Sequence, residues 1–175
     1  LWNTHTRKSI KFMLFGVVSD THNNYKNIEK IISLFNEKTL EFVIHTGDIS
    51  NTKALEKFSR LNCSLYGVFG NNDRTEQGLA EVAKKNCFQI VNPPLQLNKG
   101  GKKIAVFHEP NDIDEYLLKN IDIDIVLHGH THRFREEIVN KVLIYNPGES
   151  AGMLKEKNAI GIVDLNSLSA ERIFF

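Results

Sequence analysis

The sequence predicts an α/β fold in which layered, β-sandwich-like sheets are flanked by helices. In the first half of the chain, short apolar runs alternate with segments whose apolar residues recur at helical spacing. This alternation is typical of parallel strands covered by helices. In the second half, apolar runs are separated by short segments rich in Asn, Lys and Gly, as in β-hairpins. Together the two patterns favour one layered domain.

The first half predicts three strands, each followed by a helix. The predicted strands lie at 10–18, 42–44 and 65–69, and helical spacing occurs at 28–35, 54–61 and about 76–86. Asn23 or Asn24 can cap the first helix, because an Asn side chain accepts hydrogen bonds from the free N–H groups of a helix start.

The second half predicts three hairpins, one short helix and one buried strand. A turn at 98–101 joins strands at 95–97 and 104–107, a helix follows near 112–119, and a strand covers 123–127. Two further hairpins turn at 140–141 and 166–169. The apolar residues at 173–175 indicate a last strand, and with it a complete domain.

The composition is that of a globular domain. Of the 175 residues, 41% are hydrophobic and 25% are charged, which excludes fibrous and disordered classes. The formal net charge of +1 disfavours nucleic acid as a partner, because such proteins carry a basic surplus. No apolar run approaches the roughly 18–20 residues that span a bilayer, so we expect no membrane contact and a cytoplasmic protein. Cys63 and Cys87 imply no disulfide framework and are expected to be small core residues.

Residues 10–175 are predicted to form a single domain, because no linker, repeat or run of like charge interrupts them. Residues 1–9 are polar without a clear period and are expected to be a tail that includes Trp2 and His5. The first Met is Met13, so the sequence leaves open whether residues 1–12 are native. It also leaves open the oligomeric state, with a homo-oligomer among the alternatives.

Polar residues follow the predicted strands at the ends where ligands bind in α/β sheets. They are Asp20 and His22, Asp48, Asn71 and Asp73, His108, and His130 and His132. Each alone has a structural alternative, since Asp and Asn are common turn formers and helix caps. Oxygen and imidazole ligands without thiolates suit Mn, Fe, Ni or Zn better than a structural zinc site. We therefore expect a metal site at the carboxyl ends of the strands.

The motifs occur in a recognisable order. They are Asp20-x-His22, Gly47-Asp48, Gly70-Asn71-x-Asp73, His108 and Gly129-His130-Thr131-His132. This series resembles the signature of the calcineurin-like metallophosphoesterase superfamily. Asn146-Pro147-Gly148 resembles a further loop of its small, single-domain phosphodiesterase branch.

The resemblance implies two divalent metal ions, with manganese as the first choice and nickel, iron or zinc as alternatives. The first ion would be held by Asp20, His22, Asp48 and His132, and the second by Asp48, Asn71, His108 and His130. The shared ligand is a carboxylate, which can supply one oxygen to each of two neighbouring ions.

The resemblance also implies the reaction. A hydroxide that bridges the two ions would attack phosphorus in line, and the substrate would be a small phosphate ester, chiefly a nucleotide-like phosphodiester. The implied catalytic residues are Asp48, Asn71, Asn72 and Asp73, of which Asp73 is expected to orient other groups.

Three positions depart from the family pattern. Asn72 stands where larger members have a His, and an amide cannot deliver a proton at neutral pH. We therefore expect aryl phosphodiesters to be hydrolysed faster than alkyl monoesters. Glu109 replaces the usual Gly after His108, and Glu149 replaces a frequent Ser after the Asn-Pro-Gly loop. The sequence assigns no role to either Glu.

Two alternative functions use the same fold. One is a non-catalytic protein-interaction scaffold, like the small subunit of the eukaryotic retromer, and the other is a nuclease. The seven filled ligand positions disfavour the scaffold, and the short chain and balanced charge disfavour the nuclease. Two histidines have no assigned ligand role. We expect His45 to be buried and hydrogen-bonded, and His128 to share a strand face with His130.

Overall fold

A computed structural model describes residues 13–175, so the predicted tail at 1–9 and residues 10–12 of the first predicted strand lie outside the described residues. The strands are β1 Leu14–Val18, β2 Phe42–His45, β3 Ser64–Val68, β4 Gln89–Val91, β5 Leu95–Lys99, β6 Lys102–Val106, β7 Ile125–Leu127, β8 Arg135–Val139, β9 Val142–Asn146, β10 Ala159–Asp164 and β11 Ser169–Phe174. The helices are α1 Tyr25–Asn36, α2 Thr52–Lys57, α3 Leu79–Lys85 and α4 Ile113–Lys119, and a short 3₁₀ turn covers Phe58–Arg60.

The strands form two sheets, as the sequence predicts for a sandwich-like α/β fold. The first sheet has the order β11-β10-β1-β2-β3-β4, and the second has the order β5-β6-β7-β9-β8. Strands β1 to β4 are parallel, because helices or long loops carry the chain back between them. Strand β10 joins β1 in antiparallel register, with Phe15 opposite Val163. The first sheet is therefore mixed rather than wholly parallel.

The apolar residues separate into three packed layers. Alternation along β1 sends Phe15 and Val17 into the space between the sheets, where Phe15 stacks on Phe42 at 4.9 Å between ring centroids. Val18 faces the opposite way and packs with Ile28 of α1. On the outer face of the second sheet, a smaller cluster packs under α4. The result is a helix–sheet–sheet–helix arrangement that fixes the strand ends in space.

Most predicted elements are present, and the differences have physical reasons. Strand β4 has three residues and one buried side chain, too short a pattern to be recognised in the sequence. Strand β8 is largely exposed, so it carries no apolar run. Strand β7 ends at Leu127, so the prediction that His128 and His130 alternate along one strand is wrong. Cys87 is also exposed rather than in the core.

The helices within residues 13–175 are too short or too polar to cross a membrane. Helix α1 is capped by Asn24, whose side chain accepts a hydrogen bond from the backbone N–H of Asn27 at 3.1 Å, as predicted for one of the two candidate caps. Asn24 lies four residues beyond Asp20, and His22 lies in the turn between them.

Candidate metal centre

The first group of ligand-type side chains comes from the loops after β1 and β7. One ligand atom each of Asp20, His22 and His132 lies within 4.8 Å of the others. His132 Nε2 is 3.5 Å from Asp20 Oδ1. The carboxylate of Asp48 is close by, with its Oδ2 at 3.9 Å from His22 Nε2. We refer to Asp20, His22 and His132 as the first cluster.

The second group meets on the other side of Asp48. Asn71 Oδ1 lies 2.9 Å from His108 Nε2 and 2.9 Å from His130 Nδ1. His108 Nε2 is also 3.5 Å from Asp48 Oδ1. We refer to Asn71, His108 and His130 as the second cluster. Its members follow three different strands, which the fold brings to one edge of the sandwich.

Asp48 lies between the two clusters. Its Oδ2 faces His22 and its Oδ1 faces His108. Asn72 also contacts both oxygens, because its backbone N–H donates to Oδ1 at 3.0 Å and its side-chain Nδ2 donates to Oδ2 at 2.7 Å. A carboxylate in this position has one oxygen for each cluster.

The donor set fits divalent cations. His22 Nε2 is buried, and no hydrogen-bond partner for it exists among the described residues. An orphaned buried nitrogen costs free energy unless something else binds it. Two carboxylates, four imidazoles and one amide face the same space, and no thiolate is among them, a combination that suits Mn, Fe, Ni or Zn.

Contacts outside the clusters orient the imidazole rings. His108 Nδ1 donates to the backbone carbonyl of Thr46 at 2.8 Å, so Nε2 is the ring nitrogen that points to Asp48 and Asn71. His22 Nδ1 is 3.0 Å from Ser50 Oγ, which leaves Nε2 as the free nitrogen. Fixing the far nitrogen of a ring in this way is how proteins present imidazole to a metal.

Burial and neighbouring side chains shift the pKa values of Asp20, Asp48 and His108. Burial tends to raise the pKa of Asp48, but contacts with His108 and Asn72 outweigh it and hold the pKa below its ordinary value. Burial raises the pKa of Asp20 despite a short hydrogen bond from Ser19. Burial tends to lower the pKa of His108, and the Asp48 carboxylate reverses this and raises it. A bound cation would take the place of the protons that the raised pKa values of Asp20 and His108 favour.

The backbone carries strain at the same residues. Asp20, His22, Asp48, His130 and His132 all have positive φ, between 45° and 66°. This region is uncommon for residues other than Gly and costs about 1–3 kcal/mol for each residue held there. Five such residues in one place form a signal of function that no sequence pattern reveals.

Asp73 holds the loops rather than facing the clusters. Its carboxylate accepts hydrogen bonds from the backbone N–H groups of Ile49 at 2.9 Å, Ser50 at 2.7 Å and Gly70 at 2.7 Å. The side chain is buried. It therefore ties the loop after β2 to the loop after β3, in keeping with an orienting role.

Glu149 lies next to His132 of the first cluster and binds the backbone that follows it. It is completely buried, and its carboxylate accepts hydrogen bonds from the backbone N–H groups of Ala151 at 2.9 Å and Leu154 at 2.7 Å. Its Oε2 lies 3.8 Å from His132 Nδ1. No sequence pattern predicts this role, since the contacts depend on how residues 149–154 fold back on themselves.

The remaining residues of interest lie around the clusters. His45 is buried and hydrogen-bonded, as predicted, with Nδ1 accepting from Gly47 N–H at 3.0 Å and Nε2 at 3.0 Å from Thr21 Oγ1. His128 is buried beside Asn146. Glu109 is not simply solvated, because its Oε1 pairs with Arg74 at 3.1 Å.

Comparisons with known proteins identify relatives of this chain. The family model described as "Calcineurin-like phosphoesterase superfamily domain" matches residues 13–168. A phosphodiesterase of Methanocaldococcus jannaschii is 35% identical over 154 residues, which cover 87% of this chain and 93% of that protein. A solved archaeal phosphodiesterase is 32% identical, with a TM-score of 0.84 over 93% of this chain and 100% of its own. Vps29 of Chaetomium thermophilum has the same fold at 14% identity, with a TM-score of 0.66 over 93% of this chain and 96% of its own.

Proposed function

Because the chain belongs to the calcineurin-like phosphoesterase superfamily, we propose that it is a two-metal phosphodiesterase that hydrolyses small, nucleotide-like phosphodiesters. The observation that supports this most strongly is the position of Asp48, with one carboxylate oxygen toward each cluster. The archaeal relatives named as phosphodiesterases support the diester as the substrate class.

Asp20, His22, Asp48 and His132 would hold one ion, and Asp48, Asn71, His108 and His130 would hold the other. Ions held by these residues would supply Lewis acidity, which lowers the pKa of a bound water and neutralises charge on phosphoryl oxygens. Neutral imidazole and amide donors keep the negative charge of the site low, so that an anionic ester can approach.

The chain itself orients the substrate and limits the leaving groups. Asn72 is placed by its two contacts with Asp48, and its amide can donate a hydrogen bond to a phosphoryl oxygen. It has no proton to give a departing alkoxide. Departure therefore depends on the acidity of the leaving alcohol, which favours aryl over alkyl esters.

The proposal is tested with protein stripped by a chelator and reloaded with one divalent ion at a time. Hydrolysis of bis(4-nitrophenyl) phosphate is measured beside 4-nitrophenyl phosphate and an alkyl monoester. We expect activity to return with manganese and the diester to be the fastest substrate. Equal rates on the aryl diester and the alkyl monoester would remove the diesterase assignment.

The scaffold is the second candidate, and the structure offers it less support. A scaffold has no need to hold five site residues at positive φ around a buried, unpartnered imidazole nitrogen. Loss of hydrolysis with every ion tested would favour it. Manganese as the metal, a cytoplasmic location and the oligomeric state stay predictions.

A further inference from the structure

A cleft of about 370 Å³ lies beside the second cluster and has no role in the reaction described so far. It is bounded by His108, by the loops after β3 and β6, and by helix α4. Arg74 and Glu109 join the two loops across its edge through their ion pair at 3.1 Å. A group held in the cleft would therefore be next to a phosphate bound at the clusters.

The apolar part of the lining consists of flat surfaces. Pro93 and Pro94 contribute to it together with Phe107 and Tyr116. Phe107 and Tyr116 pack edge to face, with 5.1 Å between ring centroids, which fixes the orientation of the Tyr116 ring. Proline rings and a fixed aromatic ring favour a planar ligand over a flexible chain.

The charged part of the lining has an excess of carboxylates. Two cations, Arg74 and Lys119, face three acidic residues, Glu109, Asp112 and Glu115. Arg74 is engaged by Glu109, and Lys119 by Glu115. The cleft therefore offers hydrogen-bond acceptors for hydroxyl groups and repels a second phosphate. A ligand with a neutral charge suits it best.

The size of the cleft limits what it can hold. It falls at the lower end of the range of about 300–1,000 Å³ that is typical of small-molecule pockets. One ring-bearing group fits this volume, whereas a polymer needs an extended groove.

We propose that this cleft takes the neutral, ring-bearing arm of the diester, with a nucleoside as the matching chemical class. The inference rests on the proposed phosphodiesterase function. The ring lies against Tyr116 and the prolines, its hydroxyl groups donate to the carboxylates, and the phosphate lies at the two clusters. Glu109 determines specificity, since it both neutralises Arg74 and excludes anionic arms.

The first test compares two diesters with the same leaving group. Thymidine 5′-(4-nitrophenyl) phosphate and methyl 4-nitrophenyl phosphate both release 4-nitrophenol, and they differ only in the other arm. We expect kcat/KM of the manganese-loaded protein to be at least about tenfold higher for the thymidine ester. Equal values would overturn the cleft inference and leave the phosphodiesterase intact. Failure to hydrolyse either ester with any ion would instead overturn the proposed function.

The second test measures how strongly the acidic lining of the cleft discriminates against an anionic arm. A 3′-phosphate on the thymidine ester should lower kcat/KM, because the added dianion faces Glu109 and Asp112. Glu109→Gln should reduce this discrimination about tenfold. Glu56→Gln is the matched control, since Glu56 pairs with Lys85 at 2.9 Å outside the cleft and should leave the discrimination unchanged. The same discrimination in both variants would overturn the role of Glu109.

A third measurement does not depend on turnover. Thymidine alone should give saturation-transfer NMR signals with the protein loaded with zinc, which is d¹⁰ and therefore diamagnetic. Tyr116→Leu, which keeps an apolar group on Phe107, should remove them. Contact with thymidine that is equal in both proteins, or absent in both, would overturn the inference.

Discussion

Asp48 carries more of the proposed chemistry than any other side chain. Each oxygen faces a different cluster, and both receive hydrogen bonds from Asn72. Replacing one oxygen by an amide nitrogen keeps the shape of the side chain but turns an acceptor into a donor. The same change removes the negative charge that two neighbouring cations share.

Asp48→Asn should therefore lower turnover of an aryl diester by more than about 100-fold and reduce the metal content to less than two ions per chain. Metal analysis and steady-state kinetics give the two readouts. Asp122→Asn is the matched control, because Asp122 is an exposed partner of Lys103 and should change neither value. A fully active Asp48→Asn protein would contradict the bridging role.

Glu149 is the residue whose role only the structure supplies. Its buried carboxylate collects backbone N–H donors from the following turn and lies close to His132. Glu149→Gln should destabilise the protein by about 1–3 kcal/mol, because an amide leaves part of these donors unpaired. It should also weaken manganese binding about tenfold through His132. Urea unfolding and a metal titration measure the two effects. Exposed Glu136→Gln is the control, and unchanged stability of Glu149→Gln would rule out the supporting role.

Loops after parallel strands bring the site together, and glycines allow the loops to touch. A Cβ at Gly129, in the loop after β7, would overlap Ser19 Oγ and lie 2.9 Å from Asp20 Oδ2. A Cβ at Gly70 would overlap Asp48 in the same way. Both positions therefore require glycine because side chains of a neighbouring loop, Ser19 and Asp48, lie against the backbone there.

Gly129→Ala should push the loops after β1 and β7 apart, lower the free energy of unfolding by about 1–3 kcal/mol and abolish binding at the first cluster. Gly101→Ala is a useful comparison, because a Cβ there meets nothing within 4 Å and the only cost is its positive φ. We expect a smaller loss of stability and normal metal binding in that variant, measured by thermal unfolding and metal titration. Normal metal binding by Gly129→Ala would show that the close approach is dispensable.

The sequence predicts strands and helices well where a strand is buried on both faces or a helix is buried along one face. Strands β1 and β2 are mostly apolar because both of their faces are covered, and α1 shows its buried stripe at Ile28 and Ile31. The proposed ligand residues could be named because each lies in the loop that follows a predicted strand. Strand β8 has no apolar run, since it is exposed, and Glu149 acts through a turn with no periodic pattern. Such contacts depend on the folded backbone and leave no trace in residue order.

The whole molecule should lose stability in weak acid because of its buried histidines. Burial lowers the pKa of His45 to about 3 and that of His128 to about 4. An unfolded histidine has a pKa near 6.5, so between these values the unfolded chain binds more protons than the folded one. The stability contributed by His45 and His128 is therefore fully present above about pH 6.5 and is lost as the pH decreases toward 3.

Urea unfolding of the metal-free protein at pH 4 to 7 checks this dependence. Each of the two histidines should contribute a slope of roughly 1.4 kcal/mol per pH unit below about pH 5.5. His45→Gln should remove one such contribution and leave that of His128 in place. An identical slope for wild type and His45→Gln would show that His45 is protonated in the folded state.

The antiparallel pairing of β1 with β10 has a consequence for biosynthesis. Gly16 lies opposite Ile162, so the first strand gains its second neighbour only after β10 has left the ribosome. Pairings between such distant residues also form slowly. A nascent chain that has emerged as far as His132 carries all seven proposed ligands, yet its first strand still lacks one neighbour. Metal loading should accordingly follow the emergence of β10, and translation products truncated before β10 should not sequester the ion.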